Sequence, residues 1–147
     1  MELKIDLFIK SYAKDYPLLY LALATIKKNV TGYQNLILLI PEQDKEIFDT
    51  RGLPDKTLVF YVKDEGTGWL RQQVFKMKAY EYSFADIIMF SDSDCLFTYP
   101  VNLQDTTKDV KPEILYTNCS KVGDAICWKQ PVDEFMKEAV TFEFMRR

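Results

Sequence analysis

Two carboxylates near the middle of the sequence have the spacing of a metal site: Asp92 and Asp94, separated by Ser93. Side chains two residues apart on extended backbone point to the same side, so both carboxylates can hold one hard divalent cation. Such a cation, Mn²⁺ or Mg²⁺, completes its coordination with phosphate oxygens of a ligand. The alternative is a solvated loop pair, because a chain with 13 aspartates readily contains an Asp-x-Asp by chance. We predict that Asp92 and Asp94 bind the metal and that Ser93 contacts the substrate.

The segment before this pair favours the functional interpretation. Residues 86–90 are mostly apolar, which predicts a buried central strand ending just before Asp92. In open α/β sheets, ligands bind at the carboxyl ends of the strands. The acidic pair is therefore expected at the edge of the sheet where ligands collect.

Strand and helix signals alternate along the chain, without repeats, low-complexity tracts or linkers. Apolar runs predict strands at residues 5–9, 36–40, 57–62 and 86–90, with a weaker signal at 114–117. Asp15 as N-cap and Pro17 in the first turn predict a helix that ends before Gly32. Further helices are predicted at residues 42–50, 69–82 and 132–144. The predicted fold is α/β and Rossmann-like, a mostly parallel central sheet with helices on both faces, in one domain of residues 1–147.

The composition excludes several functional classes. The chain has no histidine, which removes His-based catalytic triads and His-ligated zinc sites. Its net charge of -3 lacks the basic excess of most nucleic-acid-binding proteins, so no nucleic-acid partner is expected. The 3 cysteines include no CxxC pair, and no apolar stretch is long enough for a secretory signal or a transmembrane segment. We expect a cytoplasmic protein.

The helix predicted at residues 69–82 has a polar face beside an apolar stripe. The stripe consists of Leu70, Val74 and Met77, and the polar face consists of Trp69, Gln72, Gln73 and Lys76. Lys76 could neutralise a diphosphate, Gln73 could bond a sugar hydroxyl or a phosphate, and Trp69 could stack on a base or a sugar. The alternative is an ordinary solvated helix face.

The segment DIIMFSDSDCLF resembles the DxD motif of the GT-A fold nucleotide-diphospho-sugar glycosyltransferases, which also follows a hydrophobic strand. The longer segment GWLRQQVFKMKAYEYSFADIIMFSDSDCLF is similar to a GT-A branch in which a Gln- and Lys-bearing helix precedes that strand. The resemblance covers residues 3–100 and implies a nucleotide-sugar donor, UDP-linked, with a glycan, lipid or protein acceptor. It also implies that Ser11 and Tyr12 contact the nucleoside and that Asp64 contacts a uracil or ribose, although Asp64 also fits an ordinary acidic turn.

The chain departs from this family in two respects. Many GT-A enzymes take a third metal ligand from a histidine, and this chain has none. Catalytic domains of the family are usually longer, so a short or C-terminally truncated member is expected, with residues 101–147 as a shortened acceptor side. Asp124, in the segment KVGDAICWK, is the remaining candidate for a catalytic base or an acceptor contact. A loop Asp beside Gly is also a common turn former.

The resemblance implies metal-dependent transfer of a sugar from a UDP-sugar, and two alternatives stay open. One is a non-catalytic module that binds a nucleotide sugar or a partner chain on a reduced GT-A scaffold. The other is a haloacid dehalogenase-type phosphohydrolase, whose apolar strand also ends in DxD with the first Asp as nucleophile. That family normally carries the motif on its first core strand and needs a later acidic pair, which is not evident after Asp109.

Overall fold

The computed structural model describes residues 3–63, 68–108, 111–112, 116–118, 126–139 and 142–144. The chain forms two compact units, Met1–Lys111 and Pro112–Arg147. The predicted acidic pair lies in the first unit. No helix within these described ranges is both long enough and apolar enough to cross a lipid bilayer.

The elements follow one another with short connections, several of them 3₁₀ turns. The first unit contains β1 (Ile5–Lys10), α1 (Tyr16–Asn29), β2 (Val30–Thr31), β3 (Asn35–Pro41), β4 (Thr57–Val62), α2 (Gly68–Met77), β5 (Ile87–Phe90), β6 (Val101–Asn102) and β7 (Thr107–Lys108). The chain continues with β8 (Lys111–Pro112), β9 (Tyr116–Asn118), α3 (Ile126–Met136) and β10 (Phe142–Phe144).

The main sheet has the strand order β4-β3-β1-β5, and all of its pairings are parallel. Leu7 of β1 lies level with Leu36 of β3 on one side and with Met89 of β5 on the other. Every residue of β1 is buried, as expected for an apolar strand that is covered on both faces. The predicted α/β fold is confirmed, and the strands predicted at 5–9, 36–40 and 57–62 are present within one residue at each end.

Helices cover both faces of this sheet. Leu7 and Phe8 are consecutive residues of β1, so their side chains point to opposite faces. Leu7 belongs to the apolar cluster that contains Leu23 of α1, whereas Phe8 belongs to the cluster that contains Phe75 of α2. The prediction of helices on both faces is therefore confirmed.

The first helix begins where the sequence predicts. Asp15 occupies the N-cap position of α1, and Pro17 lies in the first turn. The Asp15 side chain makes no capping hydrogen bond, so the fixed backbone dihedral of Pro17 is the stronger signal for the helix start. Lys27 and Lys28 occupy the last turn, where the helix dipole favours positive charge.

The strand before the acidic pair is not the central strand that its apolar sequence predicts. β5 lies at an edge of the main sheet, and no other described strand pairs with its outer side. Ile87, Ile88 and Met89 are half-buried, and Phe90 is 44% exposed. A short apolar run indicates a strand without indicating how many neighbours it has, which explains the wrong prediction.

The helix at residues 68–77 buries a different face from the predicted one. Val74 and Met77, which were predicted to form an apolar stripe, are 43% and 79% exposed, whereas Phe75 is buried. The helix ends at Met77, and a 3₁₀ turn over Ala79–Glu81 follows it. Apolar side chains occur on two sides of this helix, and the large aromatic side chain is the one that fills the space over the sheet.

Two other predicted helices differ from the structure. In place of a helix at residues 42–50, a 3₁₀ turn spans Glu42–Asp44, and an irregular segment follows. In place of a helix at residues 132–144, α3 ends at Met136. Lys137 has a φ of 57°, a left-handed conformation that ends a helix. β10 then pairs antiparallel with β9, which corresponds to the strand predicted at 114–117.

Candidate metal site

The acidic pair follows β5, whose carboxyl end lies beside that of β1. The two strands are adjacent and parallel, and Phe8 lies level with Phe90. The Ser91 backbone N–H donates to the Phe8 carbonyl at 3.0 Å, which extends the pairing one residue past β5. Lys10 and Asp92 each lie two residues beyond the Phe8–Phe90 pair. A lysine and an aspartate therefore reach the same edge of the sheet.

The acidic pair forms a small exposed cluster in a turn. Ligand atoms of Asp92, Asp94 and Cys95 all lie within 4.8 Å of one another. The Cys95 backbone N–H donates to the Asp92 carbonyl at 3.1 Å, and this bond closes the turn. Two carboxylates suit Mg²⁺ or Mn²⁺, whereas the soft thiol of Cys95 does not. The residues present therefore fit a hard cation with two protein ligands. Ser93, between them, is buried.

Helix α2 provides both hydrogen-bond donors that hold the Asp92 carboxylate. Lys76 Nζ donates to Asp92 Oδ1 at 2.8 Å, and Gln72 Nε2 donates to the same oxygen at 3.1 Å. Gln72 and Lys76 are four residues apart, so their side chains lie on one side of the helix. Among the described residues, none donates a hydrogen bond to Asp92 Oδ2. A metal ion held by Oδ2 would leave the bonds between Oδ1 and α2 in place.

Gln72 is the glutamine that reaches Asp92, and the predicted bond of Gln73 to a sugar hydroxyl or a phosphate stays a prediction. Gln73 is half-buried and makes no side-chain hydrogen bond within the described part of the chain. Gln72 lies on the predicted polar face, and its four-residue spacing from Lys76 is the sequence signal that selects it over Gln73. The prediction that Lys76 carries positive charge to this region agrees with its bond to Asp92.

A buried lysine at the end of β1 adds a second positive charge near this edge. Lys10 is 5% exposed, and its Nζ donates to the Ser11 carbonyl at 3.0 Å. The same ammonium lies 5.3 Å from the centroid of the Phe75 ring, a cation–π contact with α2. The sequence analysis did not single out Lys10, although a lysine that ends an otherwise apolar strand is an available signal.

The loop after β1 contains the two residues predicted at the nucleoside. The Ser11 backbone N–H donates to the Leu39 carbonyl of β3 at 3.1 Å. The Ser11 side chain is 1% exposed, and within the described residues its Oγ has no hydrogen-bond partner. Tyr12 is 46% exposed. A buried hydroxyl without a partner costs free energy unless a ligand or water supplies one, so Ser11 Oγ is suited to contact a ligand.

A buried carboxylate fixes this loop to the segment that follows β3. Asp44 Oδ2 accepts a hydrogen bond from the Ala13 backbone N–H at 2.8 Å and another from the Tyr16 hydroxyl at 2.9 Å. Burial raises the pKa of the Tyr16 hydroxyl well above its usual range, and the bond to Asp44 raises it further. Asp44 therefore holds the loop of Ser11 and Tyr12 in one position.

Three predicted site residues cannot be assigned to this edge. Asp64 and Asp124 lie outside the described residues, and so does the side chain of Trp69, whose backbone belongs to the first turn of α2. Their predicted contacts with the nucleoside, the acceptor and the base or sugar stay predictions.

A groove of about 360 Å³ with a mixed polar and apolar lining lies between β4 and α2. Its lining includes Phe60 and Val62 of β4, Val74 and Phe75 of α2, and the charged residue Lys78. Neither Asp92 nor Asp94 lines this groove, so it is separate from the acidic pair. Burial raises the pKa of the Tyr82 hydroxyl, another residue of the lining.

No protein-family model matches this chain, and no curated protein matches it significantly. The functional assignment depends on the geometry of the acidic pair and on the resemblance carried by the DxD segment.

Proposed function

We propose that the protein is a metal-dependent glycosyltransferase that transfers a sugar from a UDP-sugar to an acceptor. The observation that carries the proposal is the acidic pair at the carboxyl edge of a parallel sheet, beside the ammonium group of Lys76. In α/β proteins this edge is where nucleotides bind. The resemblance of the DxD segment to GT-A enzymes supplies the reaction class. A cytoplasmic location is part of the proposal, because the cysteine content does not indicate disulfides.

Each group has a role in this proposal. Asp92 and Asp94 would hold Mn²⁺ or Mg²⁺, and the bound ion would supply positive charge to the diphosphate. Lys76 adds positive charge on the same side of the phosphates. Ser11 and Tyr12, in the loop fixed by Asp44, contact the nucleoside. Lys76, together with a cation held by the two carboxylates, would stabilise the negative charge on UDP as its bond to the sugar breaks.

Residues outside the described part complete the proposal. Asp64 contacts the uracil or ribose, Trp69 stacks on the base or sugar, and Asp124 contacts the acceptor or acts as its base. Gln73 bonds a sugar hydroxyl or a phosphate, and Gln72 hydrogen-bonds the Asp92 carboxylate. The bonds from α2 occupy Oδ1 of Asp92, and Oδ2 would bind the cation.

The phosphohydrolase alternative is less well supported. In that class the first Asp of the motif attacks phosphorus and belongs to the first strand of the core. Here the motif follows β5, an edge strand that comes last in chain order within the main sheet. Asp92 also shares its Oδ1 between two donors from α2.

Calorimetric titration with UDP, UDP-glucose and UDP-galactose, with and without Mn²⁺, tests the donor site. We expect metal-dependent binding that the Asp92→Asn/Asp94→Asn double variant loses. The matched control is Glu46→Gln/Asp55→Asn, which removes two exposed carboxylates elsewhere on the first unit. Metal-dependent binding that survives in the Asp92/Asp94 variant would refute the site.

Release of UDP from the bound donor separates an enzyme from a binding module. The proposal expects Mn²⁺-dependent release of UDP, with sugar transferred to an acceptor or, slowly, to water. Binding without any release of UDP across an acceptor screen would favour the non-catalytic module. Release of phosphate from a generic phosphomonoester would favour the phosphohydrolase.

A further inference from the structure

The carboxylate that the proposed function gives to the metal is already neutralised by a lysine. Lys76 Nζ lies 2.8 Å from Asp92 Oδ1, and this ion pair joins α2 to the turn after β5. The charges of Asp92, Asp94 and Lys76 together amount to −1, where the two carboxylates alone would carry −2. A metal ion that approaches the pair by itself therefore meets weaker attraction and a nearby ammonium group.

We infer that Lys76 is an exchangeable counter-ion, which neutralises Asp92 in the free protein and moves to the diphosphate when a metal–nucleotide complex binds. This inference rests on the proposed function of the acidic pair and deepens it. Its consequence is that the metal and the nucleoside diphosphate bind cooperatively, because each ligand favours the state in which Lys76 has left Asp92.

The structure allows Lys76 to move without moving its helix. Phe75, the preceding residue, is buried against the sheet and anchors α2, whereas the Lys76 side chain is 21% exposed. A lysine has a flexible stem and an ammonium group with three donors, so it can change partners by rotating its side chain. Because Lys76 Nζ already contacts Asp92, a phosphate bound to a cation on that carboxylate would be close to the same side chain.

The carboxylate keeps its orientation when Lys76 leaves. Gln72 Nε2 still donates to Asp92 Oδ1 at 3.1 Å, and it carries no charge that would repel a cation. Such a neutral hydrogen bond to a ligating carboxylate is the usual way in which proteins orient metal ligands. Gln72 is therefore a positioning residue, and Lys76 is the residue that couples the two ligands.

Substitution of Lys76 by Met distinguishes this coupling from a structural role. We expect the affinity for Mn²⁺ alone and the affinity for UDP at saturating Mn²⁺ to change in opposite directions. Without the ammonium group, Mn²⁺ alone binds about 2–5-fold more tightly, the range expected for loss of a half-exposed ion pair. UDP at saturating Mn²⁺ binds about 10-fold more weakly, because the diphosphate loses a charge-assisted hydrogen bond. If Lys76 only held the turn in place, its substitution would weaken the binding of both ligands.

The experiment is a pair of titrations on wild type and three variants. Mn²⁺ alone is followed by the electron paramagnetic resonance signal of the free ion, and UDP is then titrated calorimetrically at saturating Mn²⁺. Lys78→Met is the matched control, because it removes the same charge from an exposed position two residues later. Lys76→Arg keeps the charge and is expected to resemble wild type. Lys76→Gln replaces Lys76→Met if circular dichroism shows that the Met variant does not fold.

The outcomes distinguish this inference from the proposed function. Opposite changes in Lys76→Met, with neither change in Lys78→Met, support the exchange of Lys76 between the two partners. If wild type binds Mn²⁺ and UDP but Lys76→Met leaves both affinities unchanged or weakens both, the inference is wrong and the donor site stands. If wild type binds neither ligand, the proposed function fails and the inference fails with it.

Discussion

Asp44 is the side chain whose removal should disturb both the stability of the fold and the loop after β1. Its Oδ2 accepts hydrogen bonds from the Ala13 backbone N–H and from the Tyr16 hydroxyl, and the carboxylate is 6% exposed. We predict that Asp44→Ala destabilises the protein and loosens the segment that contains Ser11 and Tyr12. The substitution leaves the N–H of Ala13 and the hydroxyl of Tyr16 without their acceptor.

The size of the effect follows from these two bonds. A hydrogen bond to a charged acceptor contributes about 1.5–3 kcal/mol, and a buried donor left without a partner is costly. Tyr16 is 6% exposed, so when Asp44 is removed most of the energy of the bond to its hydroxyl is lost. Ala13 is only half-buried, so its N–H can bond water instead. We therefore expect Asp44→Ala to lower the free energy of unfolding by about 2–4 kcal/mol, and Tyr16→Phe by about 1–2 kcal/mol.

Urea unfolding followed by circular dichroism measures both variants and the double variant. Because the Tyr16 hydroxyl bonds Asp44 directly, the double variant should lose less free energy of unfolding than the two single variants together. The difference, the coupling energy, should be about 1–2 kcal/mol. A loss below about 0.5 kcal/mol in Asp44→Ala, the range of an ordinary surface substitution, would refute the reasoning. So would strict additivity of the two substitutions.

Three further predictions concern charge, pH and packing. Arg51→Leu should raise the pKa of Asp49 from about 2 toward 3.8, measured by NMR titration, because Arg51 hydrogen-bonds that carboxylate. The pKa of Tyr16 is higher in the folded than in the unfolded protein, so its contribution to the free energy of unfolding is complete below pH 10.0 and is lost as the pH rises above 10.0. Tyr16→Phe should therefore reduce the fall in the free energy of unfolding at alkaline pH, measured by urea unfolding. Phe75 is buried and Met77 is exposed, so Phe75→Ala should lower the free energy of unfolding by about 3–5 kcal/mol and Met77→Ala should change it by no more than about 0.5 kcal/mol. Equal losses in the two variants would contradict the observed helix face.

The sequence predicted those elements whose pattern fits a single structure. Residues 36–40 form an uninterrupted apolar run whose length is typical of a buried strand and short for a helix, and β3 follows it closely. Pro17 together with Asp15 located the start of α1 for a similar reason, since proline is favoured at a helix start and disfavoured inside. These signals are local and need no knowledge of neighbouring strands.

The sequence could not predict features that depend on neighbours in space. The run that forms β5 has the same composition at a sheet edge as at a sheet centre, so its half-buried position emerges only from the strand order. In α2, Val74 and Phe75 point to different sides, and the contact with Phe8 decides which side is buried. Alternation in Phe142–Phe144 suits a strand, but three residues are too few to outweigh a helical pattern before them.

The candidate site was predicted in part. Asp92 and Asp94 follow a strand at the carboxyl edge of the sheet, as the sequence indicated, and Lys76 hydrogen-bonds Asp92. Gln72 was on the predicted face, but its bond to Asp92 depends on how α2 packs beside the end of β5, which the local pattern does not show. The buried position of Lys10 depends on the packing of Phe75 over β1, which no local pattern reveals.

The most direct test of the account is the position of Mn²⁺ in crystals grown with UDP. Anomalous diffraction locates the ion independently of the rest of the electron density. The account predicts one strong peak within coordination distance of Asp92 Oδ2 and an Asp94 oxygen, with the diphosphate on its other side. Bound UDP with the manganese peak elsewhere, or with no peak beside these carboxylates, would contradict the central claim.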